Sequence, residues 1–194
     1  MFGEEQYQYL RRLNSYFVAS LALLAIGVLL GALAISYYPE IAEQIENELG
    51  GFVKMFRGLS RLKLLIAIFL NNAVKTFLVI LLGSVFGVIV ALFLLTNGAA
   101  IGIAMYSSIQ SRGLWPSLLA ILPHGVLELP AVLLGASIGL MLGGHAIRRI
   151  FGRTDTALKA ELGRALRFFF TVIIPLLILA AMIEALITPV VAGL

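Results

Sequence analysis

Apolar residues fill five stretches of the chain, and its polar residues fall between them or inside them. The first, residues 15–38, is long enough to cross a bilayer core, which takes about 20 residues at helical rise. Pro39 ends it. Segments 76–96, 117–144 and 168–191 are of similar length, the last interrupted by Pro175 and Glu184. Segment 99–111 is shorter and reads either as a span or as a re-entrant half-helix. Asn97-Gly98, just before it, is a turn signal. Leu64–Leu70 is apolar but too short to span alone. The pattern predicts one all-α membrane domain over residues 1–194, with about five transmembrane helices and interfacial or broken half-helices.

The polar connections differ in charge. Glu40, Glu43, Glu46 and Glu48 crowd the first half of residues 40–63, and Lys54, Arg57, Arg61 and Lys63 the second. Phe52, Val53, Phe56, Leu59 and Leu62 recur against those bases at helical spacing. This predicts an interfacial amphipathic helix over about 50–63, with a solvated connector as the alternative. Residues 145–167 carry six Arg or Lys against two acids and form the most basic loop. Cytoplasmic loops are enriched in such residues. Arg11 and Arg12 likewise place the N-terminus in the cytoplasm, and five spans then leave the C-terminus external. With 99–111 re-entrant, the basic loop would fall outside, so the charge pattern favours five spans.

Two segments align without gaps after a shift of 52 residues, 69–87 over 121–139. Leu70, Val74, Leu81, Leu82, Gly83 and Gly87 meet identical residues at Leu122, Val126, Leu133, Leu134, Gly135 and Gly139. Each unit has a short apolar segment, a polar interruption and a long helix. Asn71-Asn72 interrupts the first, Pro123-His124-Gly125 the second. The reading is a parallel internal repeat, of the kind whose interrupted segments line sites in transport folds; the alternative is two similar hydrophobic helices.

Asn71, Asn72, Lys75, His124, Glu128 and Glu184 are the candidate intramembrane polar cluster. An ionisable group at bilayer depth costs about 3 kcal/mol or more unless paired or hydrated. His124 and Glu128 are spaced i, i+4, on one helix face. Lys75 falls one position before the repeat equivalent of Glu128, which predicts an ion pair at equal depth, with Glu184 as the other candidate partner. Asn97, Gly98, Pro123, Gly125 and Pro130 are the candidate helix breaks and turns. The cluster reads three ways: a hydrogen-bonded packing device, a vestibule for an ion or small solute, or a catalytic site. H-E-x-x-H is absent, and His145 lies about 30 Å along the helix from His124, too far to complete a metal site. No catalytic residue, metal or cofactor is expected.

Composition agrees with membrane residence. Of 194 residues, 61% are hydrophobic and 12% charged, and mean hydropathy is +1.04. Phe17 to Ala34 resembles a signal peptide, but Glu4 and Glu5 precede it and the apolar run continues to Tyr38, so it reads as a retained span. The net charge of +4 clusters at membrane edges, which points to lipid headgroups rather than nucleic acid. The absence of cysteine excludes disulfides and thiolate chemistry. Five G-x-x-x-G pairs (Gly27/Gly31, Gly83/Gly87, Gly98/Gly102, Gly135/Gly139, Gly139/Gly143) suit close helix contact, within the bundle or in a homo-oligomer.

"FLNNAVKTF", "LLTNGAAIGIAM" and "PHGVLELPA", in this order across hydrophobic helices, resemble the stage II sporulation protein M family, also called DUF95. The resemblance covers roughly residues 60–190. It is carried by Pro123, His124, Gly125 and Glu128, then by Asn71, Asn72, Asn97 and Gly98. It implies a cell-membrane protein of about five spans, and the compact length suits a member from a non-sporulating organism such as an archaeon. The family's namesake is a scaffold that recruits peptidoglycan-degrading partners. The expected function is therefore a non-enzymatic membrane scaffold with protein partners. A channel or transporter is the alternative, and an intramembrane hydrolase the third reading.

Overall fold

The computed structural model describes residues 4–38, 40, 60–85, 87–153 and 156–191. Among them there is no strand. The elements are α1 (Glu4–Tyr37), α2 (Arg61–Gly83), α3 (Val88–Arg112), α4 (Leu114–Ile150), α5 (Leu158–Phe168), a π-helical turn (Phe169–Ile173) and α6 (Ile174–Val191). Among the described residues, five helical segments are long and apolar enough to cross a membrane: Gln6–Tyr37, Arg61–Gly83, Val88–Arg112, Glu128–Ile150 and Leu158–Ala185. The protein is an all-α multi-span membrane protein. The expected number of spans is present, but the chain is divided differently.

The first difference is at the N-terminus. α1 begins at Glu4, well before the expected 15, because its buried stripe starts early. Tyr9, Leu13, Ser20, Leu24, Gly27, Gly31 and Ile35 recur near every fourth residue and are all buried.

The second difference concerns spans 76–96 and 99–111. Asn71, Asn72 and Lys75 do not interrupt a helix; α2 runs through them from Ser60, whose hydroxyl accepts the Lys63 N–H. The turn lies at Ser84–Gly87, not at Asn97-Gly98. Ser84 Oγ donates to Leu81 O, and Gly87 takes φ 74° at the start of α3, a left-handed conformation that glycine adopts without a Cβ penalty. Asn97 and Gly98 lie inside α3. The Asn97 amide donates to Phe93 O at 2.7 Å, a bond within its own helix. Gly98 sits against the α1 backbone at Leu24 and Gly27.

The third difference is α4, expected over 117–144. It is one helix from Leu114 to Ile150 that passes through Pro123, Gly125 and Pro130 without ending. Prolines are tolerated in spanning helices where local adjustment and neighbouring groups satisfy the freed carbonyls; Pro130 itself faces outward. α4 is the central helix: most of its residues from Ala131 to Ala146 are buried, whereas α1, α2 and α3 each bury only a stripe. The basic loop expected at 145–167 is mostly helix, formed by the end of α4 and by amphipathic α5. The span expected at 168–191 starts at Leu158 and includes the π-turn. Pro175 lacks the N–H that would bond Thr171, and the wider turn one step upstream accommodates its ring. Of the interfacial helix expected over 50–63, residues 50–59 lie outside the described residues.

Glycines set the packing. Gly27 and Gly31 of α1 meet Leu95, Gly98 and Ala99 of α3, and Gly102 meets Val28. Leu24 lies beside Gly98 and Val28 beside Gly102, so the two helices are parallel. Gly83 meets Gly139, and Gly143 meets Gly83 and Gly87, so α2 and α4 are parallel too. The expected repeat segments thus lie on parallel helices. Their packing register is one turn from the 52-residue alignment, because Gly83 faces Gly139 rather than Gly135. Gly87 is in a turn, whereas its counterpart Gly139 is in a helix.

Candidate functional site

A half-open cavity of about 350 Å³ lies between α2, α3 and α4, with Leu24 of α1 at one wall. Asn71, Asn72 and Lys75 reach it from α2, Asn97 from α3 and Glu128 from α4. Five sequence-predicted polar residues therefore converge, although they come from three helices and span 57 positions from Asn71 to Glu128. The Asn71 amide donates to Asn72 Oδ1 at 3.3 Å. Asn72 and Glu128 are buried, at 9% and 5% exposure, while Lys75 is exposed. No ion pair joins Lys75 to another residue among the described residues. The expected Lys75–Glu128 pair is thus two groups on one cavity wall, not a closed salt bridge.

The remaining candidates lie elsewhere. Glu184 is half-buried on α6 and does not line the cavity. His124 stands one helical turn before Glu128 on α4, but its side chain is outside the described residues. Gly125 is half-buried, with Leu129 beside it. Gly98 serves the α1–α3 contact instead of a turn.

Leu24, Phe93, Leu94, Leu129 and Leu133 make most of the remaining wall apolar. Amide donors and acceptors, one cation and one carboxylate are the chemistry available to an occupant. Among the described residues, no three His, Asp or Glu side chains converge as a metal site would require. Toward the 84–87 turn the cavity ends in close packing. Thr76 lies against Gly135, Gly139 lies against Val79 and Val90, and Ser137 donates to Ser20 at 3.2 Å. Thr76, Val90, Ala136, Ser137 and Ile138 are at most 1% exposed.

The family model described as stage II sporulation protein M matches residues 20–189. The chain belongs to this family. The match extends upstream of the motif-bearing part of the sequence, through the second half of α1. No curated protein and no solved structure matches the chain. The family's membrane character agrees with five spanning helices, and the cavity residues all fall within the matched region.

A second polar cluster was not among the sequence candidates. Arg12 of α1 and Arg164 of α5 both donate to Glu161 Oε1, at 3.0 and 2.7 Å. Glu161 is buried, its side chain 4% exposed. The i, i+3 spacing of Glu161 and Arg164 was a readable signal; the partner 149 residues away was not. At the same end of the bundle, His145 Nε2 and Arg149 Nη1 each lie 3.0 Å from Thr156 O, tying the end of α4 to the following loop.

Proposed function

We propose that the protein is a non-enzymatic multi-span membrane scaffold of the stage II sporulation protein M family. The observation that carries this reading is the closed inner end of the polar cavity. Close contacts of Gly135 with the Thr76 side chain and of Gly139 with the Val79 carbonyl and the Val90 side chain fill the level below Glu128, and nothing in such packing accommodates a hydrated solute. The cavity then serves helix packing or receives a polar group from a partner. Protein partners dock at the basic end of the bundle or at the 40–63 segment.

The test is flux through purified protein in liposomes. Ion and small-solute gradients are expected to decay no faster than in empty liposomes. Flux in the wild type that Glu128→Gln abolishes, with the variant still folded, would replace the scaffold by a transporter. That second reading is favoured by the convergence of Asn71, Asn72, Lys75, Asn97 and Glu128 on one cavity.

The basic end is assigned to the cytoplasm. Arg11, Arg12, Arg148, Arg149, Arg153, Lys159, Arg164 and Arg167 belong to it, and such residues are retained inside. The protein then resides in the cell membrane with its C-terminus external. A cysteine at Thr156 is expected to resist an impermeant thiol reagent added to intact cells, and one at Ser111, at the opposite end, to react. Both positions are exposed. Labelling at Thr156 but not at Ser111 would invert the topology.

A further inference from the structure

The polar cavity lies near the middle of the membrane. Measured away from the basic end at helical rise, Lys75 stands about 12 Å from Gly83 and Asn97 about 13 Å from Val88. Glu128 stands about 16 Å from Gly139, which packs on Gly83. Three helices thus give one level, about halfway through a hydrocarbon core of roughly 30 Å. Lipid headgroups do not reach that depth.

The opening is lateral. Of the residues lining the cavity, Lys75 of α2 and Ala100 and Ala104 of α3 are exposed, so the mouth lies between α2 and α3 on the outer face of the bundle. Thr96, Ala100 and Ala104 follow one another at helical spacing along this lip, and all are exposed. Small side chains so spaced let another spanning helix approach closely. The glycines of like spacing are taken up inside the bundle. Gly27, Gly31, Gly98 and Gly102 pack between α1 and α3, and Gly83, Gly139 and Gly143 between α2 and α4.

The independent observation is the chemistry of the wall. Asn71 donates to Asn72 Oδ1 at 3.3 Å, and Asn97 donates to Phe93 O at 2.7 Å. An amide side chain has two N–H donors and an acceptor oxygen. The Asn72 N–H groups and the Asn71 and Asn97 oxygens therefore remain for an occupant. Lys75 and Glu128 bring opposite formal charges to the same cavity. An occupant with a net charge would leave one charge unbalanced at bilayer depth, where that is costly. The complementary group is neutral and both donates and accepts. A carboxamide does so from one head, and amide side chains join spanning helices through such bonds.

We infer that the Thr96–Ala104 face of α3 seats a transmembrane helix of a partner protein, whose Asn or Gln side chain enters the cavity and bonds to Asn71, Asn72 and Asn97. This rests on the scaffold reading above and gives that scaffold a contact inside the membrane.

Full-length protein in phosphatidylcholine liposomes tests it. The chain has no cysteine, so Ser111→Cys carries a single donor dye. The probe is an acceptor-labelled polyleucine helix of roughly 23 residues with one central Asn. Energy transfer is expected at about tenfold lower peptide density than with the all-leucine helix. Asn97→Ala removes a partner of the amide. Ala100→Leu blocks the lip from the lipid side and leaves the polar wall intact. Each is expected to remove most of the difference. Equal transfer from the two helices overturns the site, and so does a full difference in either variant. A helix with a central Asp is tested in parallel. If it binds more tightly than the Asn helix, the site takes an acid and the carboxamide assignment falls. Energy transfer between labelled copies of the protein, lost in Ala100→Leu, would give the face to a second copy and overturn the partner assignment. Liposome flux separates this inference from the reading beneath it. Tight liposomes without a peptide preference remove the site and leave the scaffold. Flux that Glu128→Gln abolishes removes the scaffold, whatever the peptides do.

Discussion

Gly98→Leu is expected to cost about 3 kcal/mol or more and to separate α1 from α3. A Cβ at Gly98 meets Leu24 O and lies 3.0 Å from Gly27 Cα and Val28 N, all backbone atoms. A clash with a side chain is relieved by a rotamer change. A clash with backbone is relieved only by moving a helix, and α1 also meets α3 at Gly31 and Gly102. Overpacking in a core typically costs about 1–3 kcal/mol, and the larger loss follows because the whole seam must open. Gly163→Ala is the control. Gly163 lies exposed on α5 with nothing within 4 Å of a Cβ. Alanine is favoured over glycine in a helix by about 1 kcal/mol, so this variant is expected to match or exceed the wild type. Unfolding of the three proteins in one detergent checks both. A wild-type midpoint for Gly98→Leu would mean that the seam is loose.

The same glycines show how far the sequence could be read. Five spans follow from the length and polarity of the apolar runs, and close packing follows from the G-x-x-x-G spacing. The position of the second break does not. Asn97-Gly98 has the chemistry of a turn, yet a hydrogen bond to Phe93 O and a glycine contact with α1 make it helix interior. The real turn, "GSVFG" at 83–87, is as apolar as the helices around it and carries one polar side chain, Ser84. Polarity therefore pointed to the wrong glycine. For the site, Asn71, Asn72, Lys75, Asn97 and Glu128 could be singled out because polar groups at bilayer depth need a reason. Their meeting in one cavity depends on the parallel register of α2 and α4, which the 52-residue alignment approximates to one helical turn. The Arg12–Glu161–Arg164 cluster was not legible. Arg12 and Arg164 read as topology signals one by one, and only the return of α5 against α1 makes them a pair.

Two polar centres thus occupy different ends of the same bundle. The large cavity is walled by α2, α3 and α4, the helices with the tight glycine seam below it. The other joins α1 to α5, where contact depends on aromatic packing and on Glu161.

Glu161→Leu is expected to destabilise the docking of α5 on α1 by about 2–3 kcal/mol. Glu161 accepts from two arginines on one oxygen and is almost fully buried, whereas the arginines are about half exposed. A hydrogen bond to a charged group contributes about 1.5–3 kcal/mol. Losing both removes twice that, and the guanidinium groups regain part of it by turning to solvent. Removing an arginine has a different result. In Arg12→Gln or Arg164→Gln, Glu161 keeps its other partner, so each is expected to cost about 1 kcal/mol. Raising ionic strength should change the Glu161 effect little, because a buried carboxylate is poorly screened. Hydrogen exchange of the three variants locates the damage: faster exchange is expected in 158–168 and in the first turns of α1, with α2, α3 and α4 unchanged. If Arg12→Gln costs as much as Glu161→Leu, the carboxylate is not the hub of the contact. Wild-type exchange in Glu161→Leu would mean that the aromatic packing of Tyr9 on Phe168 holds α5 by itself.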